Sequence, residues 1–147
     1  MKQANRLFEL TNALQPVRRA WIQACAAVMA ENGFSFPIAT AVVLLSRLGD
    51  GTQQSALAEA AGVNPASMLR TLDLAEKAGL CERREVPHNR RIKALHLLAP
   101  GKALAKRVER QLAQLRKQLL EGIPPEDIDT VVRTLRTFEK NIYDRLS

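Results

Sequence analysis

The side chains whose types could do chemistry are Cys25, Cys81, His88, His96 and a set of arginines at 70, 83, 84, 90 and 91. Cysteine with histidine suggests a metal. Cys81 and His96 could face one another across a hairpin, but His88 would lie near its tip, about 20 Å from Cys81 at strand rise, so one ion cannot take all three and no metal is expected. Cys25 falls on an apolar stripe, where a buried thiol tends to be inert; a thiol-based redox sensor through Cys25 is kept as an alternative. No paired carboxylates, Ser/His/Asp set or phosphate-cradling loop is visible, so neither an enzyme nor a cofactor is expected. Glu82 and Glu85 lie among arginines and read as a solvated ion-pair face. What remains is cationic. From Glu82 to Lys93 five positive residues (Arg83, Arg84, Arg90, Arg91, Lys93) stand against those two acids, around the stretch "PHNRR", Pro87 to Arg91.

The whole chain shares that bias. Its net charge is +7 and its pI about 10.0, a balance that fits a polyanionic partner, nucleic acid or an anionic membrane. At 147 residues and 46% hydrophobic content it can bury a core, and with 4% aromatic residues the packing falls to Leu and Ala, which favours helices. Two cysteines make no disulfide framework, the N-terminus lacks an apolar signal region, and no run approaches the ~20 apolar residues of a membrane span. A cytoplasmic protein without a membrane partner is therefore expected.

The elements that must position the arginines can be read from periodicity. Leu7, Leu10, Leu14, Val17, Trp21, Cys25 and Val28 recur at steps of three or four, one face of a long helix. Pro16 predicts a kink there, or two helices nearly end to end, and Gly33 a left-handed stop. Ser35 and Pro37 open a second helix that ends at Gly49-Asp50-Gly51. Thr52 caps a short third helix, Gln53 to Ala61, stopped by Gly62. Asn64 caps a fourth, with Pro65 at its first position, running to about Ala78 before Gly79. Two short strands follow around PHNRR, closed by Pro100-Gly101. A basic helix then runs from Lys102 to about Leu120. A last helix, about Glu126 to Leu146, carries Ile128, Val131, Leu135, Phe138, Ile142 and Leu146 on one face.

Helix, short helix, tight glycine turn, helix and hairpin make a helix-turn-helix carrying a wing. In "TQQSALAEAAGVNPASMLRTLDLAEKAGL", Thr52 to Leu80, Leu57, Ala58 and Ala61 form a packing face, Val63 plugs the turn, and Met68, Leu72 and Ala75 point inward. Pro65, Ala66, Ser67 and Arg70 then lie at the exposed start of the second helix. Small residues there let the backbone approach base edges, and one long donor can reach guanine or phosphate. Leu69 and Leu74 lie on or near the same exposed side.

"SALAEAAGVNPASMLRTLDLAEKAGLCERR" followed by "NRRIKALHLLAPG" resembles the MarR (multiple antibiotic resistance regulator) family of winged-helix transcription regulators, over nearly the whole length. That family usually has Asp where Asn89 stands and Thr where Leu98 stands. The resemblance implies a mainly α fold with a small β-hairpin wing (α+β), a winged helix-turn-helix with long N- and C-terminal dimerisation helices. Residues 1–34 and 102–147 would form the dimerisation region, and 35–101 the DNA-binding region. It implies a homodimer that binds a pseudo-palindromic operator in double-stranded DNA, most simply as a ligand-responsive repressor. Gln53, Gln54, Ser55, Pro65, Ala66, Ser67 and Arg70 would work at the helix-turn-helix, and Arg90 and Arg91 at the wing. A small aromatic or acidic effector would sit near Arg18, Trp21 and Phe36. Without the family's Asp, the wing tip is expected to be looser at Asn89. The alternative from another class is a winged-helix module that meets an acidic protein partner.

Overall fold

The computed structural model describes residues 2–147. The elements are α1 (Gln3–Glu31), α2 (Phe36–Leu48), β1 (Thr52–Gln53), α3 (Gln54–Ala61), α4 (Pro65–Lys77), β2 (Cys81–Val86), β3 (Asn89–Leu97), α5 (Ala99–Leu119) and α6 (Pro125–Leu146). The chain divides into two compact units, residues 1–113 and 114–147.

The first unit packs around α2. Ala39, Val42 and Leu45 on that helix are buried together with Leu57 and Ala58 of α3, Met68, Leu72 and Ala75 of α4, Leu95 and Leu97 of β3, and Leu104 and Val108 of α5. These are the apolar positions that helical and strand periods predict. Glycines end the elements where expected: Gly62 and Gly79 adopt φ of +68° and +75°, a region costly for any residue with a Cβ.

Four sequence expectations are corrected. First, α1 runs as one helix with Pro16 inside it, which sets aside the alternative of two helices end to end. The carbonyl of Asn12 that loses its donor lies on an exposed stretch, where water can satisfy it. Second, Thr52 and Gln53 are not the start of α3. They form β1, which pairs antiparallel with β3 at Leu95 and Ala94, so the sheet is three-stranded in the order β1-β3-β2. The Asp50 carboxylate reinforces that edge by accepting from the Leu97 amide at 3.1 Å. Third, Val63 does not plug the turn: its side chain is 42% exposed, and its amide instead closes α3 by donating to Ala58. Fourth, Pro100 and Gly101 belong to α5, which begins at Ala99. Gly101 is buried against the Leu80 backbone, and a Cβ there would collide with the Leu80 carbonyl oxygen. The glycine serves close packing of α5 on the α4–β2 junction rather than a turn.

In the second unit, α6 opens with Glu126 and Asp127, acids placed favourably at the positive end of the helix dipole. None of its residues is buried. Val131, Leu135, Ile142 and Leu146 are 55%, 37%, 42% and 75% exposed. The N-terminal half of α1, described within its own unit, is equally bare: Leu7, Phe8 and Val17 are each about 60% exposed.

Candidate nucleic-acid interface

The start of α4 is built by its cap. Asn64 Oδ1 accepts from the Ser67 amide at 2.8 Å, and Pro65 occupies the first turn, where its missing N–H costs nothing. The helix therefore begins sharply and leaves Pro65, Ala66, Leu69 and Arg70 exposed, with Ser67 half-buried. The Arg70 guanidinium makes one long contact, 3.4 Å to Ser67 Oγ, and no ion pair with any described residue. At the preceding helix Gln53 and Ser55 are exposed and Gln54 is half-buried, but Gln53 sits in β1 and only Gln54 and Ser55 lie in α3.

The wing is more elaborate than a plain hairpin. β2 and β3 pair in regular antiparallel register from Cys81–Leu97 to Glu85–Lys93, and the next pair is Val86–Asn89. Arg90, Arg91 and Ile92 thus have no register partner on β2 and form a bulge in β3. The connection is only Pro87-His88, with His88 at φ +69°, the pattern of a type II turn with proline in front. PHNRR is accordingly a two-residue turn followed by a bulge, and its arginines leave from the bulge. Asn89 Oδ1 accepts from the Arg91 amide at 3.1 Å, which closes the bulge. That bond ties Asn89 to the bulge locally, since its amide oxygen accepts where a carboxylate oxygen of the same reach would.

The five wing cations separate into two groups. Arg83 is held by α4: its Nη2 meets Asp73 at 2.5 Å and Glu76 at 2.7 Å, and its Nε donates to Glu76 at 3.1 Å. The hydrogen bond with Arg83 draws the Glu76 carboxyl below its ordinary value, and the same bond raises Arg83. Arg84 pairs with Glu82, and Lys93 with Glu85 at 3.4 Å. Only Arg90 and Arg91 are exposed with no ion pair among the described residues. The Asp73–Glu76–Arg83 lock is a feature that sequence reasoning missed. Its signal was present: two acids three residues apart on α4, aimed at an arginine early in the next strand.

The remaining candidates are dispersed. Cys81 opposes Leu97, not His96, which opposes Glu82; adjacent strand residues face opposite ways, so Cys81 and His96 do not converge. Cys81 is buried, and desolvation pushes its thiol up. Cys25 is buried at 6% exposure, which places its thiol away from solvent oxidants. Arg18 is exposed and Trp21 and Phe36 are half-buried. The surface hollows at the wing tip, beside α2 and α5, and along 114–121 are lined by other residues. Among the described residues no single helix is long and apolar enough to cross a membrane.

The MarR family model matches residues 39–93, from α2 through the wing bulge. The chain carries a MarR-family domain. The fold extends the MarR likeness well beyond it. The transcriptional regulator PA3341 superposes with a TM-score of 0.84 at 26% identity, over 92% of this chain and 98% of its own. CouR from Rhodococcus jostii RHA1, bound to p-coumaroyl-CoA, gives 0.75 at 24% identity over 90% of each chain. A mutant MarR from E. coli complexed with operator DNA gives 0.78 at 15% identity, over 94% of this chain and 99% of its own. The MarR winged-helix architecture therefore spans α1 to α6.

Proposed function

We propose that this MarR-family chain is a sequence-specific transcription regulator that binds double-stranded DNA as a homodimer. The observation that carries the reading is the sorting of charge. Within the winged region Arg83, Arg84 and Lys93 are paired with acids of the fold, while Arg70 on α4 and Arg90 and Arg91 on the wing have no such pair among the described residues and are open to an external anion. α4 would enter the major groove with Pro65, Ala66, Ser67 and Arg70 at the bases. Ser55, Gln54 and Gln53 would hold the backbone, and the wing arginines would reach the adjacent minor groove. The operator complex of the E. coli MarR structure supports this docking by likeness of fold. The bare apolar faces of α1 and α6 favour a second copy, and two copies call for a pseudo-palindrome with half-site centres about 10 bp apart.

Repression relieved by a small aromatic or acidic effector is the fuller form of the proposal, and the coumaroyl-CoA bound to CouR supports it. Arg18, Trp21 and Phe36 are its effector candidates. The protein would work in the cytoplasm, beside the chromosome.

Selection from random duplex pools, followed by mobility shifts, tests the reading. A palindrome should be enriched, and its affinity should fall steeply with salt as phosphate contacts release counterions. No enriched duplex, or an acidic protein retained in its place, would turn the assignment to a protein-interaction module.

A further inference from the structure

Leu69 is 44% exposed on the same face of α4 as Pro65 and Ala66, and it directly precedes Arg70. An exposed leucine is ordinary on a protein surface. This one lies within the first two turns of the helix, where base edges would be met, on a surface otherwise made of small residues and one unpaired guanidinium. No acid lies in the first turn of α4, and the acids further along, Asp73 and Glu76, are engaged by Arg83. The start of the helix thus carries no acid, and Leu69 is the large apolar side chain exposed within its first two turns.

We infer that Leu69 reads the 5-methyl group of a thymine in each half-site, a deepening that rests on the proposed DNA-binding function. Among the base edges in the major groove, only thymine offers an apolar group. Against a cytosine amino group or a guanine N7, Leu69 would strip water from a polar atom and supply no hydrogen bond, which is costly. Leucine at this position therefore selects by attraction to one base and by exclusion of the others. Leu69 and Arg70 are successive residues with a rise of about 1.5 Å, so the thymine lies within about two base pairs of the base or phosphate that Arg70 contacts.

The test uses the selected operator with each thymine replaced in turn by deoxyuridine, which lacks only the methyl. Wild-type protein should lose about fourfold in affinity at one position per half-site, and about fifteenfold when both half-sites are changed. Leu69→Ala should bind the thymine operator with a similar loss and be indifferent to deoxyuridine there. Leu74→Ala, on the same helix but further from its start, should keep the wild-type sensitivity. A deoxyuridine scan that changes nothing while the palindrome still binds overturns the role of Leu69 and leaves the regulator reading intact. Full methyl sensitivity retained in Leu69→Ala also overturns it, by giving the methyl to another residue. If no duplex is enriched at all, the regulator reading fails and this inference fails with it. The scan on wild-type protein decides without depending on how any variant folds.

Discussion

Arg70 and Asn89 have opposite tasks at the scale of single residues. Arg70 has no carboxylate partner among the described residues, so removing it disturbs little within the chain. Arg70→Ala should keep wild-type thermal stability and weaken operator binding by about 1–3 kcal/mol if the guanidinium reads a base. Titrating the selected operator against single-base variants checks this, and relaxed discrimination at one position is the expected signature. Asn89 acts inward, through its bond to the Arg91 amide. Asn89→Asp should preserve that bond and lower affinity for random duplex slightly, because it adds a negative charge beside Arg90 and Arg91. A rise in random-duplex affinity would contradict this reading of the bulge. Gly101 is a third residue whose role is set by what it touches. Gly101→Ala should destabilise the fold by about 1–3 kcal/mol, read by urea unfolding, because the new methyl meets backbone that cannot swing away.

The wing and the recognition helix behave as one element because Arg83 ties β2 to α4 through Asp73 and Glu76. The pairs are partly exposed, so their stabilising effect after screening is about 1 kcal/mol, but their geometric effect is to fix where the wing stands relative to the helix. Arg83→Gln should leave the helices intact, raise hydrogen exchange along β2 and β3, and reduce specific binding more than non-specific binding. Glu76 has a folded pKa drawn below its ordinary value, so its contribution is fully present above the unfolded value, from about pH 5 upward, and is lost as pH falls through the lowered value. The stability difference between wild type and Arg83→Gln should therefore be constant from pH 7 to about 5 and shrink on further acidification. A difference that grows as pH falls would show that the lock is not electrostatic.

For the whole molecule, the number of chains is the quantity that matters. α6 has no buried residue, although its apolar side chains recur with helical spacing at Val131, Leu135, Phe138 and Ile142. Leu135→Asp should convert the proposed dimer to monomers in sedimentation, and should lower operator affinity by far more than the affinity for a single half-site. Equal loss on both would mean that the stripe does not join two copies.

Much of this organisation could be read in the sequence because it is local. The caps at Asn64 and Gly62, the inward Met68, Leu72 and Ala75, and the exposed start of α4 follow from side-chain period and turn chemistry within a few residues of each position. The arginines could be picked out by type, and the family resemblance by the order of the motifs. What needed the tertiary structure is whatever depends on residues far apart in the chain. β1 exists only because Thr52 and Gln53 meet Leu95 and Ala94, some forty residues away. Gly101 looked like a turn residue until Leu80 was placed against it. Of the five wing cations, Arg90 and Arg91 could be singled out in the sequence, but not which acids meet the other three; the fold pairs Arg83 with Asp73 and Glu76, Arg84 with Glu82 and Lys93 with Glu85, and leaves Arg90 and Arg91 outward. Charge can be counted along a chain, but which charges cancel is a matter of distance in space.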